Sequence, residues 1–187
     1  MRTTRELFDY LLQDLYSAEV AQLAFLQQMA REATIAPVKQ LFIDHHEQTQ
    51  YQIVRLEQVF GRLGKVPGQG QCATLEGLIE DKQAFGRRRP APLLLDRYNL
   101  MVGVKAERLE ISVYESLIAR AEELDLARVI LHLQANLREE REALSRLAIM
   151  SEARQDEGLK GADNHGSATR SDERWVATRR PAPGEQP

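Results

Sequence analysis

Apolar residues recur every three or four positions through most of this sequence, and that period limits what the chain can fold into more than any other feature. Leu7, Leu11, Leu15, Ala18, Leu23, Leu26 and Ala30 trace one face of a helix over roughly residues 4–31. The stretch Thr34-Ile35-Ala36-Pro37 interrupts it, because proline is tolerated only in a helix's first turn. Val38, Leu41, Phe42, His45, Thr49, Gln52, Ile53, Leu56 and Phe60 then restart the period, and this second helix is expected to end near Gly61 or Gly64. Two further amphipathic helices are expected over about 93–122 and 125–150, separated by a Glu-Leu-Asp turn at 123–125. No alternating β-branched run appears, so the expected core is all-α.

The connections decide the topology. Residues 65–92 are rich in glycine, with prolines at 67, 90 and 92, and enclose a helical fragment at about 74–85. Helices of about 26–30 residues are on the order of 40 Å long, and their links run short, long, short. A short link makes antiparallel neighbours, whereas a link approaching 30 residues can carry the chain back along the whole bundle. The expected fold is therefore an all-α, ferritin-like antiparallel four-helix bundle over residues 1–150. Its long crossover, between helices two and three, carries a short helix. After Ser151 the only large apolar residues are Leu159, Trp175 and Val176, so 151–187 is expected to be a disordered polar tail. The end RWVATRRPAPGEQP reads as solvated chain or as a tag for a partner.

Composition removes several function classes. With 25 basic and 28 acidic residues, a formal charge of −3, the chain carries no electrostatic footprint for nucleic acid. No apolar run reaches the roughly 18 residues of a membrane span, and the start MRTTRELFDY lacks a signal peptide's apolar core. The single cysteine, Cys72, cannot form an internal disulfide, which points to the reducing cytoplasm. No phosphate-binding loop, Rossmann glycine pattern or nucleophile elbow is present.

A constant offset of 91 superimposes the second helix pair on the first. It aligns Glu19 with Glu110, Leu26 with Leu117, Ala30 with Ala121, Val38 with Val129 and Leu56 with Leu147. We read two helical hairpins related by a pseudo-twofold axis, on which equivalent side chains converge. Glu19 and Glu110 each share a face with leucines or valines, and a carboxylate in a core is costly unless it is paired or holds a metal. The same offset sets Thr49 against Glu140 and Gln52 against Ala143, at places where di-iron bundles carry Glu-x-x-His. Glu107, one turn before Glu110, and His45, one turn before Thr49, are further donors. Carboxylates and amides suit iron, manganese, magnesium or calcium. Against this stands a plainer reading, in which Glu107, Glu115, Glu122, Glu123, Glu139, Glu140 and Glu142 mostly pair with basic neighbours on solvated helix faces, and His45 and His132 pack or hydrogen-bond. Cys72 reads as an ordinary buried or loop thiol, and Arg87-Arg88-Arg89 as a solvated cluster or a phosphate site.

In DLYSAE at 14–19, HHEQT at 45–49, RLEQVF at 55–60, CATLEGLIE at 72–80, EISVY at 110–114 and REE at 138–140, the chain resembles the YciE/YciF family of ferritin-like proteins. The domain of that family is of unknown function. The resemblance implies a rubrerythrin-like bundle, a homodimer, a bacterial cytosolic setting, an association with stress and a metal site between the helices. Carried over residue by residue, that site comprises Glu19 from the first helix, Glu107 and Glu110 from the third and Glu140 from the fourth, with Gln52 facing it from the second. The chain departs from the family in having Arg108 where a histidine often stands, and glutamine at 52; both departures weigh against tight iron binding. Two functions follow: a di-metal protein, with iron or manganese acting on oxygen or peroxide, or a non-catalytic dimeric bundle acting in stress protection. Tyr114 would then hydrogen-bond near the site or simply pack. Iron storage in a cage would require a many-subunit shell, which a dimeric family does not supply.

Overall fold

The structure, a computed structural model, describes residues 1–163, with side chains described through Ala153. It contains α1 (Thr4–Glu32), α2 (Ala36–Arg62), α3 (Ala73–Arg87), α4 (Pro92–Glu123) and α5 (Ala127–Asp163), with no strand among the described residues. The expected elements are all present, but α5 passes its expected end at residue 150 and runs to Asp163. Residues 151–163 lack an apolar face but contain Ala, Glu, Arg, Gln and Lys, good helix formers that extend an existing helix without a new nucleus. The tail expectation beyond that point, with Trp175 and Val176, lies outside the described residues.

The starts of α1 and α2 and the end of α2 each have an identifiable cause. At the start of α1 the Thr3 hydroxyl accepts from the Glu6 amide at 3.1 Å, and the Glu6 carboxylate accepts from the Thr3 amide at 3.2 Å, a closed capping box. The N-cap of α2, Ile35, has no side-chain cap of its own. Asp96, wholly buried on α4, supplies it: its carboxylate accepts from the Thr34 amide at 3.0 Å, the Ile35 amide at 3.1 Å and the Thr34 hydroxyl at 2.6 Å. One side chain thus satisfies free donors at a helix start and ties the α1–α2 turn to a third helix. α2 closes on Gly64, whose φ of +67° lets Lys65 N–H reach the Phe60 carbonyl at 2.9 Å.

α1 packs chiefly on α2 and α4, and α5 on α4 and α2, so α1 and α5 occupy one diagonal of the bundle. One apolar cluster joins Phe8, Leu12 and Leu15 to Leu56 and Phe60, Tyr114 and Leu117, and Val129 and Leu133. A second, at the opposite end, joins Phe25, Leu26 and Met29 to Val38 and Phe42, Leu100 and Val102, and Leu147. The start of α1 therefore meets the end of α4, and the end of α2 meets the start of α5, so adjacent helices are antiparallel. α2 finishes at the first cluster and α4 begins at the second, which obliges the intervening chain to cross the bundle lengthwise. The offset of 91 now has a spatial meaning. Leu26, Ala30 and Val38 in one cluster map to Leu117, Ala121 and Val129 in the other, and Leu56 maps to Leu147 in the reverse sense. A pseudo-twofold axis perpendicular to the bundle, through its middle, makes that exchange.

The crossover is pinned over the α1–α4 seam. The Gln13 side-chain amide donates to the Gly68 carbonyl at 3.0 Å and accepts from its N–H at 2.7 Å. A side chain at position 70 would place its Cβ 2.6 Å from the Ser17 hydroxyl, so any other residue there would force Ser17 or the loop to shift. Cys72 and Leu75 of the crossover pack with Ala18 and Ala106. Lys82 of α3, 1% exposed, forms an ion pair with Glu32, which also accepts from the Asn99 amide. Arg87, Arg88 and Arg89 are exposed.

Two outcomes follow from this packing. Asp96→Ala should lower stability in urea denaturation by about 1.5–3 kcal/mol, the usual range for hydrogen bonds to a charged group. Cys72, 4% exposed and with its thiol pKa pushed up by burial, should react with a thiol reagent far more slowly in the native protein than in urea.

Candidate metal centre

Between the two apolar clusters lies a layer of buried polar side chains. α1 contributes Glu19 and Gln22; α2 contributes His45, Thr49 and Gln52; α4 contributes Glu107 and Glu110; α5 contributes Asn136 and Glu140. The helical period places them there: 19 and 22, 45, 49 and 52, 107 and 110, and 136 and 140 are each one turn apart on one face. All five residues expected from the sequence, Glu19, Gln52, Glu107, Glu110 and Glu140, are in this layer. The solvated-face reading fails for Glu107 and Glu140, which are buried. It holds for Glu115, which pairs with Arg141 at 2.7 Å, for Glu123, which pairs with Arg120 at 2.7 Å, and for Glu122 and Glu142, which are exposed.

His45 is the member that the sequence reading undervalued. Its Nε2 lies 3.1 Å from a Glu107 oxygen, and His45, Glu107 and Glu140 each offer a donor atom within 4.8 Å of the other two. No other such trio of His, Cys, Asp or Glu occurs among the described residues. The available signal was position: His45 stands one turn before Thr49 and two before Gln52 on the inner face of α2. Arg108, where the family often has histidine, points to solvent as an exposed residue.

The other side of the layer is hydrogen-bonded. The Tyr114 hydroxyl donates to Glu19 at 2.5 Å and accepts from the Asn136 amide at 2.8 Å. Asn136 also donates to the Gln52 carbonyl at 3.1 Å and accepts from Arg55 at 2.8 Å; Arg55 forms a bidentate pair with Glu139. Gln22 donates to Glu110 at 2.7 Å and approaches His45 Nε2 at 3.3 Å. The Thr49 hydroxyl is turned onto its own helix, donating to the His45 carbonyl at 3.0 Å.

Burial sets the electrostatics. It pushes the Glu19 pKa up to about 7, opposed by the Tyr114 hydroxyl and His45. Burial, with the negative charge of Glu19 and Glu107, holds Glu110 well above the ordinary range. Burial and the neighbouring carboxylates do the same for Glu140. Glu107 goes the other way: burial raises it, but the adjacent His45, with Glu140 and Arg146 assisting, outweighs that and lowers it. Burial pushes His45 down, but Glu107 more than compensates, so the imidazole holds its proton more firmly than usual. Without an ion, the layer therefore favours a proton on the imidazole beside Glu107 and on the carboxyls of Glu19, Glu110 and Glu140.

A metal ion fits these residues. Both oxygens of Glu140, one each of Glu19, Glu107 and Glu110, Nδ1 of His45 and both amide atoms of Gln52 have no hydrogen-bond partner although buried. So many orphaned buried donors are rare in a folded core unless something occupies the space between them. One imidazole and several carboxylates form a set suited to divalent iron or manganese.

A four-helix bundle with a lengthwise crossover and acidic residues at its centre defines the ferritin-like class. Within that class the chain belongs to the YciF-like family, described as a domain of unknown function, DUF892, whose pattern matches residues 3–160. Over 142 residues it is 30% identical to Protein YciF of Escherichia coli strain K12, covering 75% of this chain and 86% of YciF. The crystal structure of the E. coli stress protein YciF superimposes with a TM-score of 0.79 at 28% identity, covering 83% of this chain and 99% of that one. The structure of YcfI from Rhodopseudomonas palustris, described as a structural protein, gives a TM-score of 0.77 at 34% identity, covering 79% and 94%. No helix among the described residues is long and apolar enough to cross a membrane.

The proton inventory generates a pH dependence. Glu19, Glu110 and Glu140 bind protons more tightly when folded, so their contribution is complete below the unfolded value of 4.5 and is lost as pH rises, through about 7 for Glu19 and well above the ordinary carboxylate range for the other two. The raised His45 acts in the same direction, and the lowered Glu107 matters only in acid. The thermal midpoint of metal-free protein should therefore fall by several degrees between about pH 5 and pH 8, and Glu19→Gln should flatten that slope; a rising midpoint would contradict it.

Proposed function

We propose that this chain is a stress-associated, ferritin-like protein whose buried layer holds divalent iron or manganese. The observation that carries the reading is the convergence of His45, Glu107 and Glu140, with orphaned oxygens on both carboxylates, within a layer sealed by apolar residues at both ends. When bound, such an ion supplies Lewis-acid and redox chemistry toward dioxygen or peroxide. The residues do the rest. His45, Glu107 and Glu140 hold it. Gln22 and Tyr114 fix the carboxylates of Glu110 and Glu19 beside it, and the leucines and phenylalanines above and below exclude bulk water. The association with stress rests on the likeness to YciF. A cytoplasmic homodimer, as the resemblance implies, is in keeping with the exposed Leu93, Leu94 and Met101 on α4.

A non-catalytic reading has its own support: Thr49, Gln52 and Ala143 stand where di-iron bundles place acids and imidazoles, and the layer is closed to solvent. Metal content separates the two. Protein produced with iron or manganese should retain metal through gel filtration, and a Glu107→Gln, Glu140→Gln double variant should retain at least about tenfold less. Wild type should consume peroxide or oxidise ferrous iron, and the variant should not. Metal-free wild type that still folds would favour the scaffold reading.

A further inference from the structure

The pseudo-twofold axis makes the layer a duplicated site, and the two copies have become different. His45 of the first half maps onto Asn136 of the second at the same offset of 91 that pairs Glu19 with Glu110. The two side chains have opposite fates. His45 keeps a free Nδ1 and joins the trio with Glu107 and Glu140. Asn136 is fully used: its amide donates to Tyr114 and to the Gln52 carbonyl, and its oxygen accepts from Arg55. Tyr114, which ties one oxygen of Glu19, has Leu23 as its equivalent, so that bond exists in one half only. Glu107 maps to Tyr16, which bonds Glu57 near the surface. Ala143 maps to Gln52 and offers no donor.

We infer that the chain binds a single divalent ion, at His45, Glu107 and Glu140, and that the other half of the duplicated site has been converted into a hydrogen-bonded brace, Arg55–Asn136–Tyr114–Glu19. The inference rests on the proposed metal binding and narrows it from a di-metal to a mononuclear centre. Geometry supports it in two ways. Only one trio of donors converges closely enough to share an ion among the described residues. The residue that the axis sets opposite His45, Asn136, has no free atom, with the Arg55–Glu139 pair anchoring it from outside. In this arrangement Tyr114 and Asn136 are positioning residues.

The test is a metal count on the full-length protein loaded with ferrous iron or Mn(II), by elemental analysis and native mass spectrometry, with anomalous scattering from crystals. One ion per chain is expected. It should be lost in His45→Ala, and retained at one per chain in Glu19→Gln and in Tyr114→Phe. His45→Gln, a closer match in size, serves if the alanine variant does not fold. Two ions per chain, with the second lost in Glu19→Gln, would overturn the inference and leave the metal reading standing. No bound ion in folded wild type would overturn both.

Discussion

Acid buried inside an apolar bundle is the constraint from which the rest of this structure follows. Glu19, Glu107, Glu110 and Glu140 lie inside a bundle whose two ends are leucine and phenylalanine. Moving a carboxylate from water into such surroundings costs several kcal/mol unless a proton, a counter-ion or hydrogen bonds offset it. The fold meets that cost locally: a tyrosine hydroxyl for Glu19, an amide for Glu110, and an imidazole for Glu107. Glu140 is left with no protein donor. The apolar clusters must be large and well packed for the layer between them to persist, and they draw on all four long helices to be so.

The duplication explains why the acids meet. A twofold axis through the middle of the bundle brings Glu19 and Glu110 together from separate hairpins and exchanges the apolar clusters at the two ends. Symmetry alone would yield two equal sites. Substitution has since separated the halves, with His45 against Asn136 and Leu23 against Tyr114, and one departure from the family's ligand pattern, Gln52, falls in the same layer.

Much of this was legible in the sequence because helical periodicity and link lengths are local signals. The four long helices, the crossover with its short helix and the antiparallel order followed from them, as did burial of Glu19 and Glu110, through the repeat. Other features were not legible. The end of α5 was placed too early because a loss of apolar spacing was read as a loss of helix, although charged residues with good propensity prolong one. By periodicity alone Glu107 and Glu140 resemble surface glutamates, and it was the family resemblance that placed them in the site; the rotation of α4 and α5 against their neighbours turns them inward. His45 was undervalued because its partners come from two other helices, distant in sequence. The Asp96 cap on α2 was invisible for the same reason.

The position of α3 bears on the order in which the molecule assembles. The α1–α2 and α4–α5 hairpins are made of near neighbours in sequence and need little loop closure, so they form early, whereas joining them closes a much longer loop. α3 contributes few of the core residues, so its docking on the seam adds least to the nucleus and is the step most easily reversed. Its buried Lys82 nevertheless needs Glu32 and the seam already in place before it can leave water. The element with the fewest core residues is thus the one that lies over the seam between α1 and α4. Release of this helix alone, short of unfolding the bundle, would bare that seam.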